Sequence, residues 1–466
     1  MADPVTDTVE QAPTPPNAEE LLGLSPELVV DVSQALDEER PADVARLIEP
    51  LHCAELADLI QLLRPERRER LIEYLRPRFD PELLTELEDT IRDEVAEQLG
   101  TAALARAIAK LESDDALMLI STLEEGKQRQ VLHAIPEALR NMLEEGLAFP
   151  EDSAGRLMQR DFVAVPAFWT VGETIDFMRE SEDLPSDFYD IFVVDPRHRA
   201  VGTVALSHVL RSKRPVRISD IMSTEIVSIP ATMDQEEVAW VVKQHDLVSA
   251  PVVDDAGRLI GAITVDDIVD VIHEEAEEDI LRLGGVAADD LYAAVIDTSK
   301  ARLPWLSVNL VTAFLAALVI GRFESTIDQI VFLAVLMPIV PLLGGNGGTQ
   351  SLTVAVRAIA TKHLSRANAG RVLSKELLVG VVNGAFLALF VGLVAWAWSG
   401  SAGIAGVIAG AMAITLTIGC FAGAAIPLVL TRLGVDPAIA SGVFLTTITD
   451  VVGFLTFLGF ATWFLI

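Results

Sequence analysis

At 466 residues the chain exceeds what one hydrophobic core sustains, so several domains are expected. It carries 68 Asp and Glu against 35 Lys and Arg, a formal net charge of −33, yet 51% of it is hydrophobic and its mean hydropathy is +0.40. Such acidity argues against a nucleic-acid partner, since phosphate binding needs excess Lys and Arg, and with only Cys53 and Cys420 the chain lacks the makings of a disulfide framework or a thiolate metal centre.

The acidity and the apolarity occupy different parts of the chain. Residues 301–466 hold eight Lys and Arg and five Asp and Glu, whereas residues 1–300 hold 27 and 63. Residues 1–24 are acidic and Pro-rich and read as a disordered tail. That start has neither the basic region nor the apolar run of a signal peptide, so the first 300 residues are expected in the cytoplasm. Residues 25–150 contain short amphipathic segments such as PADVARLIEPL, CAELADLIQLL and DDALMLISTL, which predict stacked helical hairpins, an α-helical superhelix.

From 151 to 275 the period changes and the chain repeats itself, at about 153–213 and 214–275. GRLMQRDFVAVPAFWTVGETIDFMRE matches SDIMSTEIVSIPATMDQEEVAWVVKQ, with Met158 facing Met222 and Pro166 facing Pro230. IFVVDPRHRAVGTVALSHVL then matches APVVDDAGRLIGAITVDDIV, with Val193 facing Val252 and Gly202 facing Gly261. Each copy reads strand, helix, strand, turn, strand, helix, an α/β module. Residues 276–302 connect it to five apolar segments at 303–321, 328–356, 377–398, 402–430 and 437–466. Each is long enough to span ~30 Å of hydrocarbon at 1.5 Å per residue, which predicts an all-α bundle of five transmembrane helices. Lys300, Arg302, Arg357, Lys362, Arg366, Arg371, Lys375 and Arg432 fall on one side and only Arg322 on the other, so the N-terminus is expected inside and Ile466 outside.

Of the five acidic residues after 300, only Asp450 lies deep in a span, about fourteen residues into the last one. A carboxylate near the bilayer centre costs ~2.5–3.5 kcal/mol. No Lys, Arg or His within a span can match it, and a permeating cation is the simplest counter-ion. Thr446, at i−4 on the same helical face, adds a hydroxyl. Pro338, Pro341 and the run Gly344-Gly345-Asn346-Gly347-Gly348 are expected to break the second span, freeing carbonyls beside the Asn346 side chain. The other reading of these glycines is close helix packing. Hard oxygen ligands suit Mg²⁺, whereas Cys, His or Met would suit a softer ion. Ahead of the spans, residues 266–279 (DDIVDVIHEEAEED) place eight carboxylates in fourteen positions, several on one helical face where they repel unless cations intervene. His245 and His273 nearby read as surface residues.

The paired LM/IM…P…VVD…G pattern resembles a tandem CBS pair. A helical module, a CBS pair and five spans, together with PIVPLLGGNGGTQS, VRAIAT and DPAIASGVFLTTITDVVGFL, is similar to the MgtE family of magnesium channels over residues 25–466. Leu342 departs from that pattern, standing where a Gly is expected. The resemblance implies a homodimer with Asp450 in the pore and membrane lipid around it. It also implies a plug helix within 276–302 that cytoplasmic Mg²⁺ closes over the pore. The Mg²⁺ ligands it implies are Asp234, Glu236 and Asp246 in the CBS pair, Asp267, Asp270, Glu275, Glu278 and Asp279 before the plug, and Asp114 or Asp115 in the N-terminal module. Carboxylate-only sites of this kind are expected to be weak, about 10⁻⁴–10⁻³ M. ATP is implied as a ligand of the CBS pair, without a residue set to hold it. Two other readings remain at this point: a coupled secondary transporter of divalent cations, and a nucleotide-sensing membrane protein that moves nothing. No nucleophile–base set, P-loop or metal-hydrolase motif supports an enzyme.

Overall fold

In the computed structural model the described residues are 23–181, 184–185, 187–286, 294–365 and 367–466. The tail up to residue 22, residues 182, 183 and 186 of the longer first-repeat loop, residues 287–293 of the expected plug helix, and Arg366 lie outside them. The chain forms two compact units, residues 1–269 and 270–466.

The first unit opens with short helices between Pro26 and Leu147, of 8 to 12 residues where they are α-helical. Pro26, Pro41 and Pro65 occupy first-turn positions, where a missing N–H costs nothing. One device recurs along this module. Arg68 donates to the carbonyls of Ile60 and Leu63, Arg92 to those of Leu84 and Leu87, and Arg140 to those of Leu132 and Ile135. In each case a guanidinium fork satisfies the otherwise orphaned carbonyls at the end of the preceding helix, eight and five residues back. The three arginines stand 24 and 48 residues apart, so the stacked hairpins read from the sequence have a common clamp. One later helix of the module, α1 (Ser113–Thr122), carries Asp114 and Asp115.

The CBS pair contains two three-stranded sheets of identical plan. β1 (Ala164–Pro166) runs parallel to β2 (Asp190–Val194), which pairs antiparallel with β3 (Ala200–Ala205); β4 (Ile229–Pro230), β5 (Ser249–Val253) and β6 (Leu259–Thr264) repeat the arrangement. Val193 pairs with Gly202 and Val252 with Gly261, and each ladder shifts register at the next residue. The glycines have a steric cause. A Cβ on Gly261 would lie 2.6 Å from the Met158 sulfur, and one on Gly202 would lie 2.6 Å from the Ser223 carbonyl and 3.0 Å from the Met222 sulfur. Met158 belongs to the first repeat, and its neighbour Gln159 exchanges two backbone hydrogen bonds with Ala262 of the second. Ser223 of the second repeat does the same with Thr203 of the first. Each half therefore closes the sheet of the other. Helix α2 (Gln235–Gln244) follows β4, and α3 (Val265–Leu283) follows β6, so the acidic run and the start of the connecting segment form a single helix.

Among the described residues the second unit holds five helices long and apolar enough to cross a membrane: α4 (Val295–Gly321), α5 (Ile339–Ala360, continuing the short turn Phe332–Leu336), α6 (Ala369–Ser399), α7 (Ala402–Arg432) and α8 (Pro437–Leu465). Of the connecting segment, the described residues up to Leu283 belong to α3 and those from Val295 to α4. Helix α7 is central and packs on α5, α6 and α8. The α6–α7 seam is made of small residues, with Gly380, Gly384 and Gly392 lying against Thr417, Ala413 and Ala409. Helix α4 leaves Leu306, Leu310, Phe314 and Leu318 at least 59% exposed, an apolar stripe.

The expected break at 344–348 does not occur. Helix α5 is continuous from Ile339 to Ala360, and the interruption falls earlier, at Met337 and Pro338. Pro338 and Pro341 sit at the cap and in the first turn, where they remove no intrahelical bond. The glycines serve close packing instead. A Cβ on Gly419 would stand 2.4 Å from the Gly344 carbonyl oxygen, and one on Gly423 2.2 Å from that of Gly348. Backbone meets backbone there and cannot yield. Gly423→Ala is therefore expected to destabilise the unit by about 1–3 kcal/mol through overpacking. Gly406→Ala on the same helix has nothing within 4 Å and should be tolerated. Thermal unfolding of the two variants in detergent checks this, and equal midpoints would refute the seam.

Candidate functional site

Asp450 stands on α8, fourteen residues beyond the cap Asp436, about 21 Å along the helix. Helices α8 and α5 pack antiparallel through small groups: Leu445 against Gly348, Thr449 against Gly345, Gly453 against Pro341. This register sets Asn346 and Asp450, the residues after Gly345 and Thr449, at one height in the bundle. Asn346 is exposed on the single chain and Asp450 half-buried. Among the described residues the Asp450 carboxylate has no hydrogen bond or ion pair. Thr446 donates its hydroxyl proton to Gly442 O at 2.9 Å, and Thr449 donates to Leu445 O at 3.1 Å. Both oxygens keep lone pairs for a cation or its water.

The second carboxylate of interest in this unit is Glu376. It lies seven residues into α6, is 7% exposed, and accepts a 2.7 Å hydrogen bond from Ser351 Oγ on α5. Its other neighbour is Lys375 at 3.8 Å. A satisfied carboxylate tying α5 to α6 has a different job from Asp450, which no described residue pairs. The signal for Glu376 was available in its i−1 lysine and in a serine on the neighbouring span, but helical period alone does not say which faces meet.

In the first unit the structure brings Asp114 and Asp115 of α1 to Asp267 in the first turn of α3. Desolvation by burial and the neighbouring Asp115 raise the Asp114 carboxyl to about 6. Desolvation and Asp267 raise Asp115 to about 6, and desolvation and Asp114 raise Asp267 to about 8. Asp267 Oδ2 accepts from Thr264 Oγ1 at 2.7 Å, a capping contact that fixes it at the helix start. Asp114 is 7% exposed and its Oδ1 has no hydrogen-bond partner. A buried carboxylate oxygen left unsatisfied beside two more carboxylates fits a hard cation with oxygen ligands. Glu112, raised by burial and by Asp266 and Asp161, borders the group and was absent from the sequence-derived set.

The remaining predicted ligands are distributed differently than expected. Asp279, Glu275 and Glu278 lie in the second unit. Asp279 is twelve residues from Asp267, about 18 Å along α3. Burial, then Asp436 and Glu275, hold the Asp279 carboxyl above its usual range. Asp270 opens the same unit on α3. The implied cytoplasmic ligands on α3 therefore fall in both units, Asp267 in the first and Asp270, Glu275, Glu278 and Asp279 in the second. Asp234 is engaged as the cap of α2, accepting from Glu236 N at 3.0 Å, whereas Asp246 follows the other end of that ten-residue helix in left-handed backbone (φ 51°). Some 15 Å of helix separates them, so one chain cannot close Asp234, Glu236 and Asp246 around one ion. His245 and His273 are exposed. Cys53, Asp80 and Glu82 gather their ligand atoms within 4.8 Å, but desolvation and the acidic neighbours push the thiol up to about 12, so it stays protonated rather than a thiolate.

Comparison with known proteins agrees with this layout. The family model described as a divalent cation transporter matches residues 337–460, the MgtE intracellular N domain matches 51–152, and the CBS domain matches 154–214 and 218–274. The magnesium transporter MgtE of Bacillus subtilis is 30% identical over 387 residues, 82% of this chain and 85% of that protein. That of Thermus thermophilus is 37% identical over 322 residues, 68% of this chain and 71% of that protein. A solved structure of the cytosolic domain of the Mg²⁺ channel MgtE in complex with ATP is 29% identical and covers 52% of this chain and 99% of that one, with a TM-score of 0.48. The chain belongs to the MgtE family of magnesium transporters, and is a multi-pass membrane protein with a helical N-terminal module and a CBS pair.

Proposed function

We propose that the chain works as a homodimeric channel that admits Mg²⁺ across the cytoplasmic membrane and is closed by Mg²⁺ on its cytoplasmic face. The observation that carries the transport reading is Asp450: a carboxylate near mid-span, level with Asn346, with no hydrogen bond or ion pair among the described residues. One carboxylate holds a hydrated divalent ion poorly, and two copies of the chain would supply two. The exposed stripe on α4 and the exposed Asn346 and Thr446 are surfaces that a second copy or lipid covers. Sidedness follows the basic residues: Arg357 ends α5, Arg371 and Lys375 begin α6, and Arg432 ends α7, all at the bundle end that Asp436 also marks. That end is cytoplasmic and Ile466 is outside.

In this reading residues 25–150 and 151–275 are the sensor, 276–302 the connection and 303–466 the pore. Asp114, Asp115 and Asp267 would hold Mg²⁺, which would supply positive charge in place of their repulsion, with Asp270, Glu275, Glu278 and Asp279 the further carboxylates along α3. A site drawing on both Asp234/Glu236 and Asp246 would need two copies of the chain. ATP in the CBS pair has no assigned ligands and no part in this scheme. Protease protection of residues 270–300 in the full-length protein is expected to rise with Mg²⁺ across the millimolar range, and a flat response would refute gating. Current through the reconstituted protein at fixed voltage separates channel from carrier: slow saturating flux that requires a second ion gradient would overturn the channel.

A further inference from the structure

Arg282, near the end of α3, makes two ion pairs: to Glu278 one turn back, and to Asp436, the cap of α8. The Arg282 and Asp436 side chains are 28% and 25% exposed, so this pair is shielded from solvent far more than a surface ion pair. The next residue, Leu283, packs against the apolar cluster of Leu352, Val356, Ala422, Ala438 and Leu445, formed by the adjoining ends of α5, α7 and α8. Asp436 in turn accepts from Ala438 N at 2.7 Å and so fixes the start of the helix that carries Asp450.

We infer that Arg282 is a tethered cation that latches the end of α3 to the base of α8 and thereby sets how much cytoplasmic Mg²⁺ is needed to close the pore. The inference deepens the gating reading and rests on it. Around this point stand Glu275, Glu278, Asp279 and Asp436, four carboxylates from two helices. A guanidinium that bridges two of them does the work a divalent ion would otherwise do, with a planar fork suited to two acceptors. Because it is covalently part of α3, it acts at any free Mg²⁺ concentration. Cytoplasmic Mg²⁺ then meets two carboxylates, Glu278 and Asp436, that already share a cation. Without Arg282 the pairing of Glu278 with Asp436 through one cation is lost, and the seat of Leu283 loses that ionic anchor.

The test uses full-length protein in lipid nanodiscs and proteoliposomes. Wild type, Arg282→Gln, Arg282→Lys, Asp436→Asn and the double variant Arg282→Gln/Asp436→Asn are compared by hydrogen–deuterium exchange over 276–286 and by Mg²⁺ flux at varied inner Mg²⁺. Arg282→Gln is expected to exchange faster in Mg²⁺-free buffer and to raise the half-closing Mg²⁺ about fivefold, the scale of a partly shielded ion pair. Arg282→Lys should recover most of both, Asp436→Asn should match Arg282→Gln, and the double variant should be no worse than either single one. Unchanged exchange and threshold in Arg282→Gln would overturn the latch while leaving Mg²⁺ gating intact. Wild-type flux that ignores inner Mg²⁺ would overturn the gating reading and the threshold role with it, and exchange alone would then decide whether the contact exists.

Discussion

Replacing Asp450 by Asn should lower Mg²⁺ flux by on the order of 100-fold, the equivalent of about 3 kcal/mol of lost ion stabilisation. The same change should leave the membrane unit as stable as before or more so, because it removes a charge that costs ~2.5–3.5 kcal/mol at the bilayer centre. This opposition separates a pore ligand from a structural carboxylate. Glu376, hydrogen-bonded to Ser351, is the internal contrast: Glu376→Ala should lower the unfolding temperature by stranding a buried hydroxyl. Fluorescent-dye uptake into proteoliposomes and thermal unfolding of both variants measure the two quantities together. Asp450→Asn protein with wild-type flux would sink the pore assignment.

The second large effect is expected from Asp267. Its folded carboxyl is raised to about 8, and those of Asp114 and Asp115 to about 6, against an ordinary 3.8. Raised acids bind protons more tightly in the folded than in the unfolded chain. The stability they contribute is therefore present at low pH and is lost as pH rises from about 4 to about 8. In Mg²⁺-free buffer the first unit should become less stable over that window. Mg²⁺ needs the ionised carboxylates and competes with the protons, so its stabilising increment should be small at pH 5.5 and large at pH 8.5. Asp267→Asn should flatten the pH slope, raise Mg²⁺-free stability at pH 8, and move the Mg²⁺ midpoint at least tenfold, a loss of roughly 1.4 kcal/mol. Thermal unfolding of the full-length protein with chelator and with Mg²⁺ at the two pH values is the measurement. An equal Mg²⁺ increment at both would refute a site built on these groups.

Much of the architecture is legible in the sequence because it is written along single segments. The repeat that aligns Val193 with Val252 and Gly202 with Gly261 reappears as two sheets with the same pairing and the same register shift. Five apolar runs appear as five long helices. What failed depended on the facing partner. The glycines of 344–348 suit either a broken helix or a tight seam. The distinguishing sign, Gly419 and Gly423 at the same four-residue spacing as Gly344 and Gly348, sits seventy-five residues away in another span. Likewise, carboxylate spacing along 266–279 gives a shared helix face but not which carboxylates meet Asp114 and which meet Asp436. Asp436 itself reads as a span-end acid until α3 is seen to end against it.

The reciprocal insertion of Met158 and Met222 bears on how the CBS pair comes into being. A repeat made alone would have a notch over its own sheet, at Gly202 or Gly261, and an unfilled methionine looking for another. Neither half is then a folding unit, and the pair is expected to melt in one transition rather than two. Its formation must wait until the second half, through β6 at Thr264, has left the ribosome, whereas the arginine-clamped hairpins before it close over eight residues and can assemble as they emerge.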